Sequence, residues 1–159
     1  MDGIRIISAK DIPEFSPPST CDLGDPFYGE VAAPQLFAAY PEWKEAREEY
    51  QPRPEIIEKL RTIKAARVQV FLGTWCPDSG REIPRFYRII DQAGLENRLE
   101  IRLWAANRKK TLPNNLMREY DIKYVPTFVF ERDGKKIGRI VEKPATSSFE
   151  EDMWRILGR

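Results

Sequence analysis

The sequence predicts an α/β architecture: a mixed β-sheet covered by helices on both faces, preceded by an extension that is part irregular and part helical. Three observations carry this. Apolar segments of strand length at 68–72 and 99–103 alternate with amphipathic segments of helical period at 56–63 and 77–93. Asp133-Gly134 joins two further apolar runs in the manner of a hairpin. The resulting order, helix, strand, helix, strand, helix, hairpin, helix, requires both parallel and antiparallel neighbours in one sheet. A chain of 159 residues holds one ordinary core and is short for two domains. The expected division is an extension over 1–53 and an α/β domain over 54–159.

Taken in order, residues 1–33 lack periodicity and are punctuated by Pro13, Pro17, Pro18, Gly24, Pro26 and Gly29. They read as an irregular arm with a short strand at 4–7. Pro34 opens a helical pattern with Leu36, Phe37 and Tyr40, and Pro41 restarts it with Trp43, Ala46 and Tyr50. These aromatics are expected to cap the core of the main domain. After Pro52 and Pro54, Ile56, Ile57, Leu60 and Ile63 form an apolar helical stripe. The strand at 68–72 follows, then a helix from Pro77 to Ala93 that buries Ile83, Phe86, Ile89 and Ile90 and ends at Gly94. Arg81, Arg85 and Arg88 share another face of it, read as solvated surface.

Leu99, Ile101 and Leu103 alternate with charged residues as one strand face. A basic loop at 108–110 and a short helix with Leu116, Met117 and Tyr120 precede the hairpin. Its strands carry Phe128, Val129 and Phe130, then Ile137, Ile140 and Val141. The last helix has caps at Ser147 or Ser148 and buries Phe149, Met153, Ile156 and Leu157.

Composition excludes several chemistries. With 26 basic and 25 acidic side chains, the net charge of +1 gives no warrant for nucleic-acid binding. Residues 1–50 are acidic overall and the remainder basic. The chain contains no histidine, which removes the commonest general base and the commonest metal ligand. Two cysteines, Cys21 and Cys76, do not make a zinc site, so neither metal nor cofactor is expected. No apolar run reaches membrane-spanning length, and the first twenty residues lack the pattern of a secretion signal. The sequence as given is expected to be cytoplasmic, with a periplasmic or exported home if a signal segment was trimmed.

The chemical focus is Cys76. It follows a buried strand and a turn through Gly73 and Thr74, and Pro77 after it fits the first position of a helix. The unpaired N–H groups and positive dipole end of such a helix favour a thiolate, the species that attacks disulfides.

Strand, Trp75-Cys76-x-x, helix, and Val125-Pro126-Thr127 about fifty residues on at the head of an Asp-Gly hairpin: this combination resembles thioredoxin over about 54–159. It is more similar still to bacterial thioredoxin-like proteins with a Thr-Trp-Cys-x-Asp-Ser site and a Gly-Arg-Ile-Val-Glu segment, present here at 74–79 and 138–142. That subfamily tends to carry a helical extension. The resemblance implies a thioredoxin fold and a cis Pro126 against the cysteine. It also implies that the backbone of Val125 pairs with an incoming peptide, with Trp75, Pro77, Asp78, Val125, Pro126 and Thr127 as the substrate-binding surface.

Two departures set the expected mechanism. Ser79 stands where thioredoxin has its second cysteine, and Val70 where it has a buried aspartate that assists proton transfer. Cys76 can therefore attack a disulfide, but a hydroxyl cannot resolve the mixed disulfide that results. Release needs a small thiol such as glutathione, a cysteine of a protein partner, or Cys21 from the arm. Ser79 is read as a hydrogen-bond donor to the Cys76 thiolate and Asp78 as an opposing like charge. Peroxiredoxin is a poorer match, because its threonine lies three residues before the cysteine and Thr74 lies two before. Monothiol glutaredoxins, with Cys-Gly-Phe-Ser, are not reproduced by Cys-Pro-Asp-Ser. The reading from sequence is thus a single-cysteine thiol–disulfide exchange protein using Cys76 and Ser79. The alternative is a non-catalytic partner-binding module with a degenerate redox site.

Overall fold

The computed structural model describes residues 27–159; the strand expected at 4–7 and Cys21 lie outside the described residues. The strands are β1 (Gly29–Val31), β2 (Ala66–Leu72), β3 (Leu99–Ala105), β4 (Thr127–Arg132) and β5 (Lys135–Val141). The helices are α1 (Ala33–Ala39), α2 (Pro41–Glu49), α3 (Pro54–Leu60), α4 (Pro77–Ala93), α5 (Leu116–Glu119) and α6 (Phe149–Leu157). One mixed sheet results, ordered β1-β3-β2-β4-β5. β3 runs parallel to β2, with Val70 opposite Leu103, and every other pairing is antiparallel. This is an α/β, thioredoxin-like fold.

β2 is covered on both faces, which is why its sequence is a nearly continuous apolar run rather than an alternation. Val68, Val70 and Leu72 join the larger core, while Phe71 joins the smaller one on the opposite face. In the larger core the Phe86 ring of α4 lies 5.0 Å from Phe128 and 6.0 Å from Phe149, and the last two are 4.8 Å apart. Phe37 stands edge-on to Tyr87 at 5.4 Å. Trp43 packs on α4 where Gly80 has no side chain; a Cβ there would stand 3.0 Å from Trp43 Nε1. The aromatics of α1 and α2 do cover the core. The boundary expected between residues 53 and 54 falls between α2 and α3.

The smaller core holds Phe71, Trp104, Ile122, Val125, Val129 and Cys76, with Leu116 and Met117 of α5 packed against it. A polar chain runs beside it. Trp104 Nε1 donates to Gln69 Oε1 at 2.8 Å, and the Tyr120 hydroxyl donates to Glu131 at 2.6 Å.

Three details depart from the sequence reading. Residues 29–31, read as irregular, form an edge strand with Gly29 opposite Ala105 and Val31 opposite Leu103. Three residues are too few for a periodic signal, and pairing with β3 makes the strand. Ile63 lies beyond the end of α3 yet is buried. Val141 is exposed, because β5 is an edge strand and this residue sits at its last position. The hairpin turns at Asp133 and Gly134 with φ of 54° and 77°, the two successive positive values of a type I′ turn. α6 starts at Ser148, whose Oγ accepts from the Glu151 N–H.

Candidate functional site

β2 and β3 end side by side, Leu72 opposite Ala105, and the chain turns from β2 into α4 at that edge. Cys76 is the N-cap of α4, with extended backbone (φ −96°, ψ 121°), and Pro77 is the first helical residue, so the missing proline N–H removes a donor that would have had no partner. The first turn of a 17-residue helix therefore starts at the sulfur. Forty-nine positions along, Val125 meets it: the Cys76 thiol donates to the Val125 carbonyl at 3.5 Å. The Val125–Pro126 peptide bond is cis. Cys76 is 9 % exposed, Val125 and Pro126 are buried, and the Val125 N–H has no acceptor among the described residues.

Ser79 is fully buried, and its Oγ accepts the Gly73 N–H at 3.1 Å. It makes no hydrogen bond to Cys76 Sγ. As an acceptor, the hydroxyl closes the turn that carries the cysteine. Trp75 lies over Gly73 so closely that a Cβ on Gly73 would stand 2.5 Å from the indole, and its Nε1 donates to Ala106 O at 2.9 Å. The glycine is required there by the ring rather than by backbone conformation. Thr127 is buried, and its Oγ1 donates to Tyr124 O at 2.6 Å, fixing the loop on the far side of Pro126. Pro77 is exposed, and Val70 is buried in the larger core.

Asp78, at the second position of α4, accepts from Arg81 at 2.9 Å. The same guanidinium donates to Glu82 Oε2 at 2.7 Å and to Glu142 O at 3.5 Å. Its bond to Glu82 pushes its pKa above the usual arginine value. Glu142 in turn donates its N–H to Pro126 O at 2.7 Å and has a left-handed backbone, φ 64°. The arginine stripe of α4 is consequently no free solvated surface: Arg81 bridges two carboxylates and a carbonyl, Arg85 lies over the Tyr50 ring at 5.1 Å, and Arg88 donates to Tyr50 O at 3.1 Å.

Of the residues that sequence reasoning named, Cys76 meets Val125 through its sulfur, Thr127 stands opposite Phe71 near the end of β2, Cys76, Pro77, Asp78 and Ser79 form the start of α4, and Trp75 precedes them. Sequence reasoning missed Glu82 and gave Glu142 no role. Glu82 had a signal: it lies seven residues before Ile89, on the buried side of α4, where a carboxylate requires partners. Glu142 closes the segment at 138–142, but its contact with Pro126 has no local signal, since it depends on the β4–β5 pairing. Among the described residues no helix is long and apolar enough to cross a membrane.

No protein-family model matches the chain, and no curated protein matches it. Similar solved structures include a protein of unknown function from Pseudomonas aeruginosa, 18% identical, over 72% of this chain and 68% of that one, with a TM-score of 0.51. An HIV epitope-scaffold is also 18% identical, over 80% of this chain and 78% of that one, with a TM-score of 0.50. A yeast mitochondrial 1-Cys peroxiredoxin is 22% identical, over 57% of this chain and 79% of that one, with a TM-score of 0.39. For the first two, at these identities, the likeness is one of fold.

Proposed function

We propose that this chain is a single-cysteine thiol–disulfide exchange protein. The observation that supports it most is the meeting of the Cys76 sulfur, at the start of α4, with the Val125 carbonyl ahead of Pro126. In the reaction, Cys76 loses its proton to solvent and its sulfur attacks a substrate disulfide. A Cys76–substrate S–S bond forms, the original S–S bond breaks, and the electron pair leaves on the departing thiolate. Ionisation also removes the thiol's hydrogen bond to Val125 O. That carbonyl and the unpaired Val125 N–H can then pair with an extended peptide carrying the disulfide. Trp75, Pro77, Asp78 and Thr127 border this position. Ser79 holds the turn and supplies no second thiol, so a small thiol, a partner's cysteine or Cys21 completes the cycle.

A second reading, a partner-binding module, is favoured by the burial of Cys76 and the engagement of its proton. Incubation with glutathione disulfide followed by intact-mass and peptide analysis separates the two. Exchange predicts glutathione on Cys76 of the native chain, or a Cys21–Cys76 linked peptide where Cys21 has displaced it. A binding module leaves both thiols unmodified under conditions that modify a model thiol.

A further inference from the structure

The described chain starts at the same edge of the sheet as Cys76. β1 is antiparallel to β3 with Gly29 opposite Ala105, and Ala105 is itself opposite Leu72, the last residue of β2 before the cysteine turn. Traced back from Gly29, the chain therefore leaves the sheet past Ala106 rather than toward the far end. Phe27 anchors that exit: its ring is 6.1 Å from Tyr40, Tyr40 is 5.3 Å from Trp43, and Trp43 lies against Gly80 in the first turn of α4. From Gly29 to Cys76 is about 10 Å across two strand spacings and at most about 14 Å along the four residues after Leu72. Cys21 stands eight residues before Gly29, and eight extended residues span about 26 Å. The arm is long enough to lay Cys21 against Cys76, and Gly24 and Pro26 suit a turn on the way.

What borders Cys76 there is aromatic and basic. Arg108 Cζ stands 5.9 Å from the centroid of the Trp75 ring, and Lys110 Nζ 5.5 Å from that of Tyr124. Trp75 precedes Cys76, and Tyr124 precedes Val125, whose carbonyl accepts from the Cys76 thiol. Two cations are thus held over the two rings that flank the sulfur. The loop that carries them is itself fixed: Trp75 Nε1 donates to Ala106 O, and Asn107 Oδ1 accepts from the Lys109 and Thr111 N–H groups at 3.1 and 2.9 Å. Residues 106–118 hold Arg108, Lys109, Lys110 and Arg118 and no acidic side chain. On the flanking segments, Asp78 is already paired with Arg81 at 2.9 Å and Asp121 with Lys123 at 3.3 Å. The arm has the opposite sign: Asp22 and Asp25 follow Cys21 by one and four residues, and Asp11 and Glu14 lie upstream. An acidic segment therefore meets a basic, aromatic rim where its cysteine can meet Cys76.

We propose that residues 19–26 of this chain dock on the rim formed by Trp75, Arg108, Lys110 and Tyr124, and that Cys21, carried there, resolves the mixed disulfide formed on Cys76. The inference rests on the exchange reading above and selects, among the three sources of a resolving thiol, the one within this chain. Asp22 and Asp25 pair with Arg108 and Lys110, which brings the Cys21 and Cys76 Cα atoms within the ~7 Å that a disulfide allows. After losing its proton to solvent, Cys21 attacks Cys76 Sγ. A Cys21–Cys76 S–S bond forms, the bond from Cys76 to the substrate breaks, and the electron pair leaves on the substrate sulfur, which takes a proton from solvent. The substrate disulfide ends as two thiols, and the chain's two thiols end as one disulfide.

The test uses the full chain and limiting dipyridyl disulfide, a neutral reagent whose released thiopyridone is followed by absorbance. The Cys21→Ser chain should release one equivalent and keep a stable label on Cys76; a Cys76 that accepts no label overturns the exchange reading and this inference together. The native chain should release a second equivalent at a rate independent of protein concentration, and non-reducing peptide mapping should recover a Cys21–Cys76 linked peptide. Arg108→Glu with Lys110→Glu should slow that second release about tenfold, the size expected when two exposed ion pairs become repulsions, and adding Asp22→Lys with Asp25→Lys should restore it. Lys64→Glu with Lys135→Glu makes the same charge change at the opposite end of the sheet, before β2 and at the start of β5, and should leave the rate unmoved. A labelled Cys76 that Cys21 leaves in place, or links only between chains, overturns this inference and leaves exchange at Cys76 standing. So does second release at the native rate in the Arg108→Glu, Lys110→Glu chain.

Discussion

Ser79→Ala removes the only acceptor that the Gly73 N–H has among the described residues, in a turn where both residues are buried. The native bond is 3.1 Å long and no water-exposed route replaces it, since the serine is fully buried. An unsatisfied buried N–H costs about 1–3 kcal/mol. Alanine regains up to about 0.5 kcal/mol through its higher helix propensity. The net expectation is a loss of about 0.5–2.5 kcal/mol, read as a lower urea midpoint with an unchanged slope. Ser79→Cys tests the same position chemically. Residues three apart in the first helical turn bring their side chains to one face, within the Cα separation of about 4.4–6.8 Å that a disulfide needs. This variant, in the Cys21→Ser chain, should expel a mixed disulfide from Cys76 by forming a disulfide between Cys76 and the introduced thiol, so its adduct should be short-lived where that of Cys21→Ser alone persists. A Ser79→Ala chain as stable as the native protein, or a Ser79→Cys chain whose adduct is equally persistent, would refute the role assigned to this residue.

Three further outcomes follow from the geometry. Gly73→Ala places a Cβ 2.5 Å from the Trp75 indole, so the ring must leave and its bond to Ala106 must break. A stability loss of about 2–4 kcal/mol is expected from overpacking plus the lost hydrogen bond, together with a shift in tryptophan emission. Tyr50, Tyr87 and Tyr120 all have hydroxyls whose pKa is raised chiefly by burial, Tyr120 to about 12. A raised folded-state pKa contributes stability that is full below the unfolded value of about 10 and is lost as pH climbs through the folded value. Ultraviolet titration should therefore show three tyrosines ionising late, with stability falling from about pH 10 upward, and Tyr120→Phe should flatten part of that fall. Phe128→Ala empties the centre of the aromatic cluster with Phe86 and Phe149, and should lower stability by about 3–5 kcal/mol in denaturant titration while leaving the Cys76 turn in place.

The parts of this fold that were legible in the sequence are those fixed by local chemistry. Pro77 and Gly94 bracket α4 because one occupies a position needing no N–H and the other takes a left-handed φ of 66°. Asp133 and Gly134 turn the hairpin because both adopt positive φ. The parts that were not legible depend on pairing between distant segments. β1 exists through β3, Glu142 touches Pro126 through the register of β4 and β5, and the acceptor role of Ser79 depends on how tightly the turn at Gly73 folds back onto α4. In each of these the residue type announced a polar or extended preference, and only the partner decided what it did.

The proposed function makes Cys76 a nucleophile that forms a mixed disulfide, with Ser79 rather than a second thiol three residues on. The most direct measurement is the lifetime of a glutathione adduct on Cys76 in the Cys21→Ser chain, followed by intact mass after excess disulfide is removed. Persistence for hours without added thiol, and prompt release once a thiol is supplied, is the predicted result. Failure to form the adduct, or its decay at the same rate with and without added thiol, would contradict it.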